Sequence, residues 1–282
     1  MTETRRAGWL FVTPIGLLYL LILLAPLSYF LLLSIFKYSA FEMYLFEPTA
    51  ENYQRLLFDP YYRGVIYRTL RIAATTTVFT LLVAYPLAYF LARYGGPGRG
   101  VLMFLVIAPL MSGVIVRTYG WIVLLGAEGT INTALIWLGA IQRPIQILRT
   151  EFAVIMAMVH ILLPYMVFPL FSAIVAQERN LEQAARTLGA SNLRIFLEVT
   201  LPLSRPGIVM GSVLVFTLTA GAIVTPQLLG GKEMKVLGIL IYDLVLTTLN
   251  WPLASAVASL LVLLQFSVIV LYFRGARGRA AA

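Results

Sequence analysis

The sequence predicts an all-α membrane protein of six transmembrane helices, and three observations predict it. Hydrophobic residues make up 60% of the chain and charged residues 12%, against about 25% charged in an ordinary soluble domain. Several charge-free runs are long enough for the hydrocarbon core, which takes about 20 helical residues at ~1.5 Å each. One long polar interval, residues 178–206, has such a run on either side. There is no internal repeat or low-complexity linker, so residues 1–282 read as a single transmembrane domain.

The first span covers about 10–36. A signal peptide has an apolar region of only ~7–15 residues and a small-residue cleavage site. This run is longer and shows no such site, so it reads as a retained anchor, bent at Pro14 and Pro26. Residues 37–71 read as a connector rich in interface-seeking aromatics, among them Tyr38, Phe41, Tyr44 and Tyr53, with a short helix at Asn52–Phe58. The second span is 70–92. The stretch RYGGPGR (93–99) has too much glycine and proline for a helix and makes a tight turn. The third span, 100–124, meets Arg117 near the far interface, where a long side chain can snorkel. Residues 128–151 form a second connector, followed by the fourth span at 152–176. The fifth span is 207–229, and residues 230–243 form a third connector. The sixth is 251–273, the main part of an apolar run that starts near Leu244 and breaks at Trp251-Pro252. An even number of spans puts both termini on one side. The segments on that side are the denser in Lys and Arg, which favours the cytoplasm.

Composition also removes function classes. The net charge of +9 fits loop arginines facing anionic membrane lipid. The stretch AARTLGASNLRIF has the look of a DNA-reading helix-turn-helix, but a DNA reader needs a soluble core, and both flanks here are membrane-length runs. No nucleic-acid partner is expected. There is no cysteine and one histidine, His160, so no metal site is expected. A phosphate-binding loop needs glycine five residues before a Gly-Lys pair and Ser or Thr after it. Gly231-Lys232 has Pro226 and Glu233 in those places. Asp243, at the border of span six, is the sole acid near a span interior, which disfavours a gradient-driven carrier. No catalytic grouping is present, so an enzyme is not expected.

Two candidate sites remain. Tyr85, Tyr89, Tyr119, Trp121 and Tyr165 offer aromatic faces to an organic cation, although interface anchoring explains several equally well. With Arg117 and His160 they form a candidate lining for a translocation path; His160 reads as a neutral imidazole hydrogen-bonded within the bundle. The second site is the polar interval, which reads as two short helices. Asn180 suits an N-cap, with Gln183 reaching back. Leu181, Ala184, Ala185 and Leu188 share one face. Gly189 suits the left-handed position that ends a helix. Ser191 or Asn192 starts a second helix, which is expected to stop near Leu201 because Pro202 follows. The apolar face must lie on the membrane, on neighbouring helices or on another protein.

This interval resembles the EAA loop of ATP-binding-cassette importer permeases, whose pattern is E-A-A, three residues, G, nine residues, I-x-L-P. Ala184, Ala185, Gly189, Leu201 and Pro202 match. Val199 stands for the isoleucine, and Gln183 stands where the family has glutamate, with Glu182 one place earlier. VRTYGWIVLLGAEGTIN (116–132), LLPYMVFPLF (162–171), TPQLLGGKEMKVLGILIY (225–242) and NWPLASAVA (250–258) resemble the spermidine/putrescine branch. The resemblance implies N and C termini in the cytoplasm of a bacterial inner-membrane protein, with a cytoplasmic coupling helix between helices four and five. The coupling residues it implies are Glu182, Gln183, Ala184, Ala185, Leu188, Gly189, Leu201 and Pro202. The implied partners are a second permease subunit, two cytoplasmic ATPase subunits and a periplasmic solute-binding protein. ATP and Mg would bind the ATPase, with no cofactor in this chain. The implied solute is small and polar, of polyamine type such as spermidine or putrescine. The alternatives are an opine, an amino-phosphonate or ferric iron in the same branch, or a self-contained channel or carrier.

Overall fold

A computed structural model describes residues 3–94, 96–231 and 234–277. Arg279 of the basic tail and the Lys232-Glu233 pair lie outside the described residues. The chain is mostly helical. It forms two compact units, Met1–Arg63 with Leu240–Val262, and Gly64–Ile239 with Leu263–Ala282.

The first unit opens with α1, Glu3–Leu33, which stays helical through Pro14 and Pro26. It ends three residues before the expected limit, because the chain turns at Ser34 into a hairpin where only a connector was expected. Strands β1 (Phe36–Ser39) and β2 (Met43–Pro48) pair antiparallel. The Ser39 hydroxyl accepts from the backbone N–H of Phe41 and Glu42 at 3.4 and 3.3 Å, closing the turn. Helix α2, Glu51–Phe58, falls where a short helix was expected. Asn52 on α2 is buried and donates to the carbonyls of Ser34 and Phe36, both at 2.9 Å. One amide thus pins the hairpin's start.

Helix α3 runs Pro60–Arg93, ten residues earlier than the expected second span. Pro60 occupies its first turn, where a missing N–H costs nothing. The expected third span is not one helix: α4 (Arg99–Met111) and α5 (Val114–Leu125) are separated at Ser112-Gly113, just after Pro109. The stretch long and apolar enough to cross is instead Val114–Trp137, made of α5 and α6 (Thr130–Trp137). Asn132 on α6 holds the following loop by donating to Ile145 O at 3.1 Å and accepting from Ile145 N at 2.9 Å. Helix α7, Glu151–Val175, matches the expected fourth span to one residue at each end. Thr150 caps it by accepting from Ala153 N at 3.2 Å.

After the polar interval, α11 (Arg205–Ala220) stops at Gly221, so the expected fifth span 207–229 is broken before α12 (Val224–Leu229). Helix α13 (Leu237–Leu246) occupies part of the expected third connector, and α14 (Trp251–Arg277) contains the expected sixth span. Among the described residues five helices are long and apolar enough to cross a membrane, or six if the pair Asn192–Leu203 and Arg205–Ala220, bent by 64°, counts as one span.

Helix α7 is central to the second unit. Ala153, Val154, Ala157, Met166, Val167, Leu170 and Ile174 on it are wholly buried. Helix α11 packs directly on α7 through Gly207 and Gly211. A Cβ at 207 would lie 2.6 Å from Pro169 O and 2.7 Å from Ala173 Cβ. Small residues let the two backbones approach, as is usual where lipid supplies no hydrophobic drive for helix association. Helices α5 and α12 meet through a Thr118–Thr225 hydroxyl contact of 3.0 Å.

Candidate functional site

The polar interval between α7 and α11 folds into an elbow. Helix α8 is Arg179–Thr187. Its N-cap is Glu178, with no side-chain cap bond, so the expected cap at Asn180 is displaced by two residues and Asn180 sits in the first turn. Leu181 N already bonds Glu178 O at 3.2 Å, which starts the helix without a side-chain cap. The C-terminus follows expectation. Gly189 has φ of 82°, Gly189 N bonds Arg186 O at 2.9 Å and Ala190 N bonds Ala185 O at 3.0 Å. These are the two bonds of a Schellman turn, which needs a left-handed residue at that position.

Helix α9 (Asn192–Ile195) is capped by Ser191, whose hydroxyl accepts from Arg194 N at 3.3 Å. The chain does not stop before Pro202. A π turn at Phe196–Thr200, with Leu201 N bonded to Phe196 O, leads into α10 (Leu201–Leu203). Proline cannot donate to the carbonyl four residues back, and its ring crowds that carbonyl. The widened π turn relieves both problems and lets the helix continue. Leu201 packs against the core and Pro202 is half-buried.

The elbow's two sides differ. Leu181, Leu188, Leu193 and Leu197 are 46, 88, 69 and 50% exposed. Gln183 and Ala184 are exposed too, and Ala185 is half-buried. Glu182 faces inward. It accepts from Arg93 of α3 at 2.7 Å and from the Thr200 hydroxyl at 3.2 Å. Gln177, just after α7, donates to Thr200 O at 3.3 Å. Motif reasoning does not single out Arg93, Thr200 or Ser204. The one signal for the ion pair is a basic residue closing one span and an acid opening a later loop.

The seven candidate path residues do not gather in one place. Tyr85 is buried. Ser204 Oγ donates to Leu201 O at 2.9 Å, so Tyr85 is the donor in its 2.8 Å contact with Ser204 Oγ. The Phe196 ring meets Tyr85 and Tyr89 edge-on, at 5.5 and 6.3 Å. These two tyrosines therefore belong to the packing around the elbow. Arg117, Trp121 and His160 form a second group. Trp121 Nε1 donates to His160 Nδ1 at 3.3 Å, and Arg117 Nη1 donates to Ile161 O at 3.2 Å. Arg117 Nε is buried without a hydrogen-bond partner. Tyr119 and Tyr165 are exposed.

Residues 61–277 match the family of binding-protein-dependent transport system inner membrane components. The spermidine/putrescine transport system permease protein PotB of Haemophilus influenzae is 40% identical over 233 residues, covering 83% of this chain and 81% of that one. PotB of Escherichia coli K12 is 38% identical over 229 residues, covering 81 and 83%. The fold is similar to a chain of a bacterial ABC transporter involved in the import of the acidic polysaccharide alginate, with a TM-score of 0.73 at 17% identity over 98% of this chain and 97% of that one. A family match over most of the length, joined to apolar helices of membrane-crossing length, places this chain among the inner-membrane permease subunits of binding-protein-dependent ABC importers, as a multi-pass protein of the bacterial inner membrane.

Proposed function

We propose that the chain is one of two permease subunits of an ATP-driven importer that takes a polyamine such as spermidine or putrescine from a periplasmic binding protein into the cytoplasm. The relatives named for spermidine/putrescine transport support the solute. Six spans cross the membrane, with the bent pair counted as one, and both termini lie in the cytoplasm. The elbow docks into a cytoplasmic ATPase, two copies of which bind ATP and Mg and do the hydrolysis. Leu181, Ala184, Ala185 and Leu188 supply the docking face. Gly189 sets its angle, Gln183 lies beside it, and Leu201 and Pro202 join it to the core. Glu182 orients the helix from behind.

The observation that carries this reading is the set of leucines left exposed along the elbow, Leu181 on α8, Leu188 at its C-cap, Leu193 on α9 and Leu197 in the π turn, at the end of two tightly packed helices. Leu188 and Leu193 are mostly outside the packing of this chain, and burying such a side chain fully on a partner is favourable by about 1.5–3 kcal/mol. A permease can respond to nucleotide only through a part that binds the two ATPase states unequally. The chain has no cysteine, so Leu188→Cys gives a single attachment point. A crosslink from that position to the ATPase, lost or shifted on nucleotide trapping, is the expected result. A position that reacts only with reagents confined to the exterior would sink the reading.

A further inference from the structure

We infer that Arg93 and Glu182 form an internal strut that carries the motion of the docked elbow into α3, as well as into α7 and α11. The inference rests on the docking reading above, and it assigns Glu182 to this chain's own mechanics and away from direct contact with the ATPase. In four other ion pairs of the chain both side chains are more than a quarter exposed. In this one the side chains are 15 and 12% exposed, and the N–O distance is 2.7 Å. Exposed pairs between long side chains are weakly held. A largely enclosed pair with a second donor is held in one geometry, and removing one member leaves an uncompensated charge.

The carboxylate ties three elements. Oε1 of Glu182 takes a hydrogen bond from Arg93 at the last residue of α3 and another from Thr200 in the π turn. Thr200 is wholly buried, and its carbonyl accepts from Gln177. A second tie lies eight positions back along α3, where Tyr85 donates to Ser204 at the start of α11. At 1.5 Å per residue the two ties are about 12 Å apart. The two ties set the end of α3 against the start of α11, and the Glu182 carboxylate joins α8 and the π turn to that frame, so a displacement of α8 is passed to the end of α3. Leu181 and the inward carboxylate are neighbours on this short helix and Leu188 caps its end, so a load applied to these leucines is delivered to the carboxylate.

The test uses the complete complex with its ATPase, and a spin label at Leu82→Cys on the exposed side of α3 or at Val175→Cys at the end of α7. Label mobility is compared with and without trapping by ATP, Mg and vanadate, so no solute is needed. The parent should respond at both positions. Glu182→Gln and Arg93→Gln should each cut the α3 response at least fivefold and leave the α7 response within twofold. The exchanged pair Arg93→Glu with Glu182→Arg should restore more than half of it. An α3 response that persists in the neutralised variants overturns the strut, as does a parent with no α3 response. Failure of the exchanged pair to restore the response, or failure of either neutral variant to assemble, assigns the pair to folding alone and also overturns it. Loss of ATPase from Glu182→Gln but not from Arg93→Gln would place Glu182 at the ATPase instead. If the docking reading itself is wrong, the α7 label of the parent will not respond either, which separates the two failures.

Discussion

The α7–α11 pair and the α8–α9 elbow are consecutive in the chain and built on opposite terms. In the first, backbones approach so closely that a single Cβ at Gly207 has no room. In the second, four leucines are left exposed while Ile195 and Phe196 turn inward, and a Cβ at Gly189 would meet nothing within 4 Å. Glycine is thus used for two different reasons. At 207 it provides space, and at 189 it provides a backbone angle. A rigid pair bearing an unpartnered face is what a lever requires: compliance in the pair would absorb the displacement that the face receives.

Substitutions at four positions break or sharpen that contrast. Gly207→Leu should have the largest effect, because the obstacle is the backbone carbonyl of Pro169 and cannot swing aside. We expect a loss of about 3 kcal/mol, seen as a strongly lowered melting temperature of the purified complex. Leu188→Asp should leave the melting of the isolated subunit unchanged while weakening ATPase retention by about 2 kcal/mol, roughly thirtyfold, measured by co-purification. A drop in subunit stability would show that the leucine belongs to the fold. Gly189→Val should cost about 1–2 kcal/mol through the left-handed angle alone, and Gly189→Asn clearly less, since asparagine tolerates that region. Equal uptake by the two would mean that the turn adapts. Tyr85→Phe should be mildest. Ser204 keeps its bond to Leu201 O, so no donor is orphaned, and a loss of about 1 kcal/mol or less is expected by thermal unfolding.

Much of the elbow was legible because its signals are local. The Schellman glycine and the Ser191 cap depend on neighbours within a few residues, and both stand where the pattern put them. Helix α7 was legible for a similar reason: a charge-free run bounded by Thr150 and by the polar residues after Val175 has defined ends. The π turn was not legible. Proline states that the chain has a problem at 202, and either ending the helix or widening it is a solution; packing of Phe196 and Leu201 selects the second. The break at Ser112-Gly113 was lost in an apolar stretch whose hydropathy does not change across it. The hairpin at 36–48 was hidden in a connector whose aromatics were assigned to the interface.

The sequence by itself determined that the chain crosses a membrane, where its polar elbow lies, which residue turns it and which family it resembles. Each of these follows from composition or from spacings of a few residues, and none needs a partner to be known. Tertiary structure decided which apolar runs are enclosed by protein: none of the α1 window is buried and half of the α7 window is, although both are strongly apolar. It also decided that Glu182 answers Arg93, 89 positions away, and that Tyr85 answers Ser204. Hydropathy measures a residue's dislike of water, which lipid and protein satisfy alike. The partner of a buried charge or hydroxyl is set by which helix ends the whole fold brings within hydrogen-bonding reach, and no local pattern encodes that distance.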